Sequence, residues 1–237
     1  MEFYQRFAKY YDEIFPIETE KVEFLKHHLK KAQEVLDLGC ATGGYVLALR
    51  EHGFHVKGLD VSSLMIEQAI AKADKLDLNN VFRCQDMQKL NDIESYDAIY
   101  SIGNTIVHLN SMEAIFETFK RVYKALKPNS KLILQMINYE RILEKDIHTL
   151  PLIQNNGVSL LRRYDFKLPL IDFKTALIVE DETFNNTTQL FPLTAQALVI
   201  MLNAIGFKKI QSFDGFSERP FDKENSYQLV LFAEKND

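Results

Sequence analysis

The stretch VLDLGCATGGY, Val35 to Tyr45, decides how the rest of the chain is read. Apolar residues run into a glycine turn, and helix-forming residues follow. An apolar run this short, closed by turn residues, reads as a buried strand. Gly39, Ala41 and Gly44 satisfy G-x-[GA]-x-x-G, the loose form of a dinucleotide fingerprint. The same letters fit more than one nucleotide-bearing ligand. The glycines alone do not choose.

Outward from this turn, period-2 and period-3.6 patterns alternate. Glu34 to Leu38 is a strand, Thr42 to His52 a helix stopped by Gly53, and Phe54 to Leu59 the next strand, ending at Asp60. Ser62 is placed to cap a helix through Ala73, with Leu64, Ile66 and Ala69 among its apolar positions. Val81 to Cys84 and Tyr96 to Ser101 are short strands. Ser111 caps a long helix on which Ile115, Phe119, Val122 and Leu126 recur at helical spacing, and Pro128 closes it. Leu132 to Ile137 is a fifth strand. Strands alternating with helices predict right-handed crossovers and a mainly parallel sheet covered on both faces.

After Asn138 the rhythm changes. Val158 to Leu168, Thr175 to Val179 and Thr183 to Leu190 read as strands with no helix between them, an antiparallel insertion. A helical pattern returns from Thr194 to Ala204 and ends at Gly206; Phe207 to Phe213 and Tyr227 to Ala233 then form an antiparallel pair. The fold class is α/β: a mainly parallel seven-stranded sheet, a C-terminal antiparallel strand pair, and an antiparallel β insertion after the fifth strand. No repeat or low-complexity linker divides the chain. It reads as a single domain over 1–237, with an N-terminal helical segment at 1–31 and an inserted flap at about 139–192.

Composition narrows the function. The chain has 237 residues, 46% hydrophobic and 26% charged, which is ordinary for a globular domain. A net charge of −5 argues against a nucleic-acid partner, whose phosphates call for a basic face. Cys40 and Cys84 show neither disulfide nor metal spacing, which points to a reducing cytoplasm, and no metal-binding constellation is visible. The N-terminus mixes charges through its apolar positions, unlike a signal peptide. No apolar run approaches the roughly 20 residues of a membrane helix.

Four features go beyond the glycines. Asp37 lies inside the strand that feeds the turn, where a carboxylate is costly to bury unless it orders the loop and meets a cationic amino group. Asp60 ends the second strand and can accept both hydroxyls of a ribose. Asp86 follows the third strand and can accept from an adenine amine, with the Met87 backbone N–H supplying a ring contact. The chain also closes in a strand pair where a plain dinucleotide fold would continue with βα units.

Together VLDLGCATGGY, GLDVSSLMIEQA, RCQDM and YDAIYSIGNTIVHL resemble the successive motifs of class I S-adenosylmethionine-dependent methyltransferases, over about the whole chain. Ala41 departs from the commoner G-x-G-x-G form, a mild change. The resemblance implies a Rossmann-like sheet and S-adenosyl-L-methionine as cofactor. It places Gly39, Cys40, Ala41 and Gly43 against the methionine end, with Asp37 close by, Asp60 on the ribose, and Asp86 and Met87 at the adenine. Val61 and Met65 would flank the adenine or pack the core. The insertion and the G-N-x-x-x-H stretch look like the small-molecule branch, similar to glycine or sarcosine N-methyltransferases.

Ser101 to Asn104 ends the fourth strand at the carboxyl edge, where open α/β sheets bind ligands. Asn104 either orients substrate or cofactor or closes a turn after Gly103. His108, four residues on, shares a helical turn with Asn104 in this reading and is either catalytic or structural. Phe3, Phe7, Tyr10 and Ile14 repeat at helical spacing. By resemblance this segment is a lid with Tyr4 or Tyr11 facing the cofactor; a packed helix is the plainer reading. Arg162 and Arg163 either meet a substrate carboxylate or form a solvated strand face. The reaction implied is in-line methyl transfer to N or O of a small molecule. Methylation of nucleic acid or protein is the alternative, although SIGNT stands where N/D-P-P-Y would be. A cofactor-binding domain without catalysis is the other. The expected partners are a small-molecule substrate, with neither nucleic acid nor membrane.

Overall fold

The computed structural model describes residues 2–29 and 32–236; residues 1, 30 and 31 of the N-terminal segment, and residue 237, lie outside them. The glycine turn joins β1 (Val35–Leu38) to α4 (Gly44–Glu51). Then come β2 (Val56–Asp60), α5 (Ser63–Asp74), β3 (Phe82–Cys84), β4 (Tyr96–Ser101), α6 (Met112–Ala125) and β5 (Leu126–Ile137). Ahead of them lie α1 (Glu2–Lys9), α2 (Tyr11–Ile14) and α3 (Thr19–Leu29). After β5 come α7 (Tyr139–Glu144), β6 (Ile153–Asn155), β7 (Val158–Lys167), β8 (Leu170–Val179) and β9 (Glu182–Leu190). The chain closes with α8 (Ala195–Ile205), β10 (Lys208–Asp214) and β11 (Gln228–Lys235).

Seven strands form the main sheet in the order β10-β11-β5-β4-β1-β2-β3. β3, β2, β1, β4 and β5 pair in parallel, while β11 is antiparallel to both β5 and β10. All four residues of β1 are buried, as a central parallel strand covered on both faces requires. The chain leaves β1 toward β2 and later returns to β4 on its other side. This topological switch point opens a crevice at the carboxyl ends of β1 and β4. The predicted caps form: Ser62 Oγ accepts from Met65 N at 3.4 Å and Ser111 Oγ from Ala114 N at 3.1 Å, a contact worth about 1 kcal/mol.

The insertion is a separate antiparallel sheet, β6-β7-β8-β9. One face is buried (Val158, Leu160, Tyr164, Ile171, Leu177) and the other carries Leu161, Arg163 and Lys174 in solvent, the period-2 pattern of a half-covered sheet. Phe3 and Ile14 pack with Val158, Leu160, Leu177 and Val179, so the N-terminal helices lie against this sheet. Tyr164, Ile171 and Leu190 belong instead to the core beneath the main sheet. The insertion therefore bridges the N-terminal segment and the main sheet.

Several boundaries differ from the reading of the sequence. α4 starts at Gly44 rather than Thr42, because Gly43 caps it in the left-handed conformation, φ 76°. α6 ends at Ala125, and Pro128 falls inside β5 beside an irregular register, where a missing N–H is tolerated. α3 falls within the helical segment read at 1–31, whereas α7 and β6 have no counterpart in the sequence reading. The N-terminal periodicity is real but broken at Tyr10, which separates α1 from α2.

Candidate active site

The glycine loop is held by its own chain. Gly39 N and Cys40 N both donate to Leu59 O, at 2.8 and 2.9 Å, and Gly43 N donates to Cys40 O at 2.8 Å. A Cβ on Gly39 (φ 91°) would lie 2.3 Å from Thr105 Cγ2, and one on Gly43 2.3 Å from the Phe82 ring. The loop's close approach is thus to neighbouring protein as well as to any ligand. Ala41 takes a left-handed φ of 47°, which costs a non-glycine residue about 1 kcal/mol. Asp60 pins it there: Oδ2 accepts from Ala41 N at 2.9 Å and Oδ1 from Ser62 N at 2.9 Å. Each oxygen keeps a lone pair for a ligand hydroxyl. Cys40 offers less than the sequence implied, since its thiol is buried against Gly58 and its N–H is already spent on Leu59.

Asp37 is 3% exposed, and its Oδ1 has no hydrogen-bond partner. Burial pushes its carboxyl up to about 8; the nearby Tyr100 hydroxyl opposes this, and Asp60 adds to it. Among the described residues no cation figures in the groups that set this value. Tyr11 faces the same place: burial raises its pKa first, followed by the charges of Asp60, Asp37 and Asp12. Tyr4 does not. It is 45% exposed, and its hydroxyl accepts from Asn186 Nδ2 on β9 at 3.4 Å.

The N-terminal segment is fastened by a residue that sequence reading missed. Asp12 accepts from Thr42 Oγ1 of the glycine loop and from Lys72 Nζ on α5, both at 2.6 Å. A Cβ on Gly44 would come within 2.4 Å of Ile17 Cδ1, so the chain after α2 lies directly on the start of α4. The only sequence signal for Asp12 is an acid beside Tyr11.

Along the sheet edge, Val61 is 68% exposed at the end of β2, which rules out core packing for it, whereas Met65 is 8% exposed. Asp86 is half-buried and caps the 3-10 turn Met87–Lys89, its Oδ1 accepting from Gln88 N at 2.9 Å. The second oxygen and the half-buried Met87 remain at the edge beside it.

At the end of β4, Ser101 Oγ donates to Leu38 O at 2.6 Å, tying the two strands of the switch point together. Asn104 closes a turn at φ 66°, and both ends of its side chain are bonded within the protein: Oδ1 accepts from Ile137 N at 3.0 Å and Nδ2 donates to the Tyr139 hydroxyl at 2.9 Å. That makes it a brace between β4, β5 and α7 rather than a group facing a reacting atom. It also removes the shared helical turn with His108, which lies in a separate 3-10 turn, Ile106–His108. The His108 ring sits in a recess, its surface open but surrounded by protein. Burial lowers its pKa and the charge of Asp60 partly restores it. Glycine loop, Asp37, Asp60, Tyr11 and His108 thus share one cleft. Among the described residues His27, His28 and Glu218 bring three metal-ligand atoms within 4.8 Å, but between α3 and the β10–β11 connection, outside this cleft.

An orphaned carboxylate oxygen, a glycine turn at a switch point and an acid with free lone pairs at the next strand end lie together at the carboxyl edge of the sheet. Residues 35–129 match the methyltransferase domain family. A methyltransferase-family relative in Geobacillus sp. (strain WCH70) is 30% identical over 141 residues, and the match spans 56% of this chain and 57% of that protein's length. The glycine/sarcosine N-methyltransferase of Aphanothece halophytica is 28% identical over 227 residues, 92% of this chain and 84% of that one. An S-adenosylmethionine-dependent methyltransferase from Clostridium acetobutylicum shares the fold, with a TM-score of 0.85 over 99% of each chain at 17% identity. These matches support a class I S-adenosylmethionine-dependent methyltransferase, with S-adenosyl-L-methionine as cofactor.

Asp60 tests the site directly. Because it clamps the loop and faces the cleft, Asp60→Ala should lower stability by about 1–2 kcal/mol and weaken cofactor binding by about 1.5–3 kcal/mol. Thermal unfolding and calorimetry separate the two losses; unchanged affinity with an intact fold would take Asp60 out of the site.

Proposed function

We propose that the chain works as one methyltransferase domain, moving the methyl group of S-adenosyl-L-methionine to the nitrogen of a small amine in this cleft. The observation that carries the reading is Asp37, a buried carboxylate with an unpartnered oxygen and, among the described residues, no cation beside it. Such a group fits the ammonium or sulfonium of the cofactor. In this reading Asp37 and the glycine loop hold the methionine end, Asp60 the ribose, and Asp86 with Val61 and Met87 the adenine. When bound, the cofactor would supply a methyl group activated on sulfur, toward which these residues would orient the lone pair of the amine.

The protein's own work is alignment and exclusion of water. Tyr11 and the Asp12 clasp close one side and the four-stranded sheet another. His108, held neutral, is the group positioned to take the proton that the methylated amine must lose. Nitrogen is favoured over oxygen by the long match to a glycine/sarcosine N-methyltransferase, and a chain with a net charge of −5 favours a small molecule over nucleic acid. We place the activity in the cytoplasm; no helix among the described residues is long and apolar enough to cross a membrane.

A screen of amines, amino acids and phenols, read by release of S-adenosylhomocysteine, should give turnover with a small amine. Methylation of RNA or DNA at physiological salt, with none in the metabolite screen, would overturn the proposal.

A further inference from the structure

His27 and His28 lie in the last turn of α3, and Glu218 follows the short 3-10 turn Gly215–Ser217 that leads out of β10. His28 and Glu218 are 190 residues apart in the chain, so no spacing in the sequence reveals them as a group. Packing of α3 brings them together. Phe24 meets Phe216, two residues before Glu218, with ring centroids 5.0 Å apart, and meets Phe232 of β11 at 5.6 Å.

The His28 ring stacks against Phe24 and Phe232, at 4.5 and 4.4 Å between centroids, so apolar packing sets its direction. Its Nε2 lies 2.7 Å from Glu218 Oε1. His27 is different. It is exposed and has no hydrogen-bond or ion-pair partner among the described residues, yet its ring stands edge-on to His28 at 4.9 Å. Consecutive residues of a helix point about 100° apart, so neighbouring imidazoles do not ordinarily converge. Here one nitrogen of each and one oxygen of Glu218 lie within 4.8 Å of one another.

Two imidazoles and a carboxylate are three ligands for a borderline divalent ion such as zinc, with the fourth tetrahedral position left to water. Ligand atoms bound at about 2.0–2.1 Å stand roughly 3.3 Å from one another around such an ion. The His28–Glu218 contact must open by about half an ångström and His27 must close by up to about 1.5 Å. Both movements fall to the exposed side chains of His27 and Glu218. Magnesium and calcium, which take oxygen ligands, do not suit the set. The carbonyl end of α3 favours a cation, and Lys131, whose Nζ donates to His28 O at 3.5 Å, opposes one. Arg219 does not compete for Glu218, being bonded to Asp214 and Ser217.

We propose that His27, His28 and Glu218 bind a divalent transition metal ion of the zinc type, which clips the N-terminal helical segment to the β10–β11 connection. The ion takes the place of the hydrogen between His28 Nε2 and Glu218 Oε1, and His28 binds as a neutral ring protonated at Nδ1. An ion held only by the folded chain stabilises it, and these ligands meet only when distant parts of the chain are in place. The site lies outside the cleft and stands whether or not the chain transfers methyl groups.

Tag-free protein, stripped with EDTA and titrated with zinc chloride in a calorimeter, should bind one ion per chain at this site. Zinc at about 100 times its Kd should raise Tm by about 5–10 °C, while millimolar magnesium or calcium should not. His27→Gln removes no bond of the metal-free protein, so its Tm in EDTA should match the wild type while its zinc Kd rises about tenfold or more. That separates a metal site from a plain His28–Glu218 ion pair, which His27→Gln would leave untouched. Glu218→Gln should weaken zinc to a similar degree, and the variant carrying both substitutions should lose the Tm response. His55→Gln, at another exposed histidine–carboxylate pair with Glu34, should keep it. No zinc bound by the wild type, an equal response to magnesium or calcium, an unchanged zinc Kd in His27→Gln, or a Tm response that survives both substitutions would overturn the assignment.

Discussion

Asp37→Asn will weaken S-adenosylmethionine binding by about 10²-fold or more, because it removes one partner of a buried charge pair. It will also abolish a pH dependence that the wild type should show. With its carboxyl pushed up to about 8 by burial, Asp37 in the free protein holds a proton at neutral pH. A cation seated against it favours the ionised form, so binding must expel that proton. The wild-type Kd should fall by up to tenfold per pH unit from about pH 6 to 8 and then level off. Calorimetry at pH 7 in buffers of different ionisation enthalpy should report nearly one proton released. A heat independent of buffer, or a Kd flat across that window, would remove Asp37 from the cation site.

The same group sets a slope in stability. The folded protein keeps a proton that the unfolded chain gives up near the ordinary carboxyl value of 3.8. Stability should therefore fall as pH rises from about 4 to about 8 and change little above that, by at most about 6 kcal/mol from this residue. Asp37→Asn should flatten the curve, leaving the variant more stable than the wild type above pH 8 in the absence of cofactor. A residue that lowers stability and raises affinity is one retained for its ligand.

Sequence reading recovered what local chemistry dictates and missed what distant partners dictate. β1, the glycine turn and the capped helices were legible because Val35 to Leu38 is a buried apolar run and because Ser62 and Ser111 hold N–H groups three residues on. α7 was not, being only six residues long and capped by Asn138, whose Nδ2 bonds Lys223 O and Ser226 O far along the chain. β8 begins at Leu170 rather than Thr175 because Asp172 and Lys174 interrupt the apolar run only on the face that alternation turns outward. Around the cleft, the order of Asp37, Asp60 and Asp86 was visible, but the second task of Asp60 as a loop clamp was not. Tyr4 and Tyr11 look alike in sequence; the break at Tyr10 sends one to the insertion and the other to the cleft. Arg162 and Arg163 likewise part only once a strand face is assigned. Asn104 and His108 have helical spacing, yet the left-handed turn at Asn104 breaks the relation and leaves the histidine alone at the site.

That isolation sharpens what His108 should do. Its ring lies in the cleft within reach of the Asp60 charge, and burial keeps it neutral into mildly acidic pH, the form that accepts a proton. It packs no core, since its surface is open, so His108→Ala should cost little stability. The substitution should lower kcat by about 10²-fold, the usual contribution of a positioned base, and leave cofactor affinity within a few-fold. The deficit should shrink as pH rises, because a growing share of the amine then arrives deprotonated and hydroxide or buffer can take the remaining proton. Asn104→Ala should give the opposite pattern: loss of its bonds to Ile137 N and the Tyr139 hydroxyl should lower Tm and reduce activity without altering the pH profile. A His108→Ala enzyme whose kcat and pH–rate profile both match the wild type would assign the imidazole to the wall of the cleft and leave proton removal to solvent.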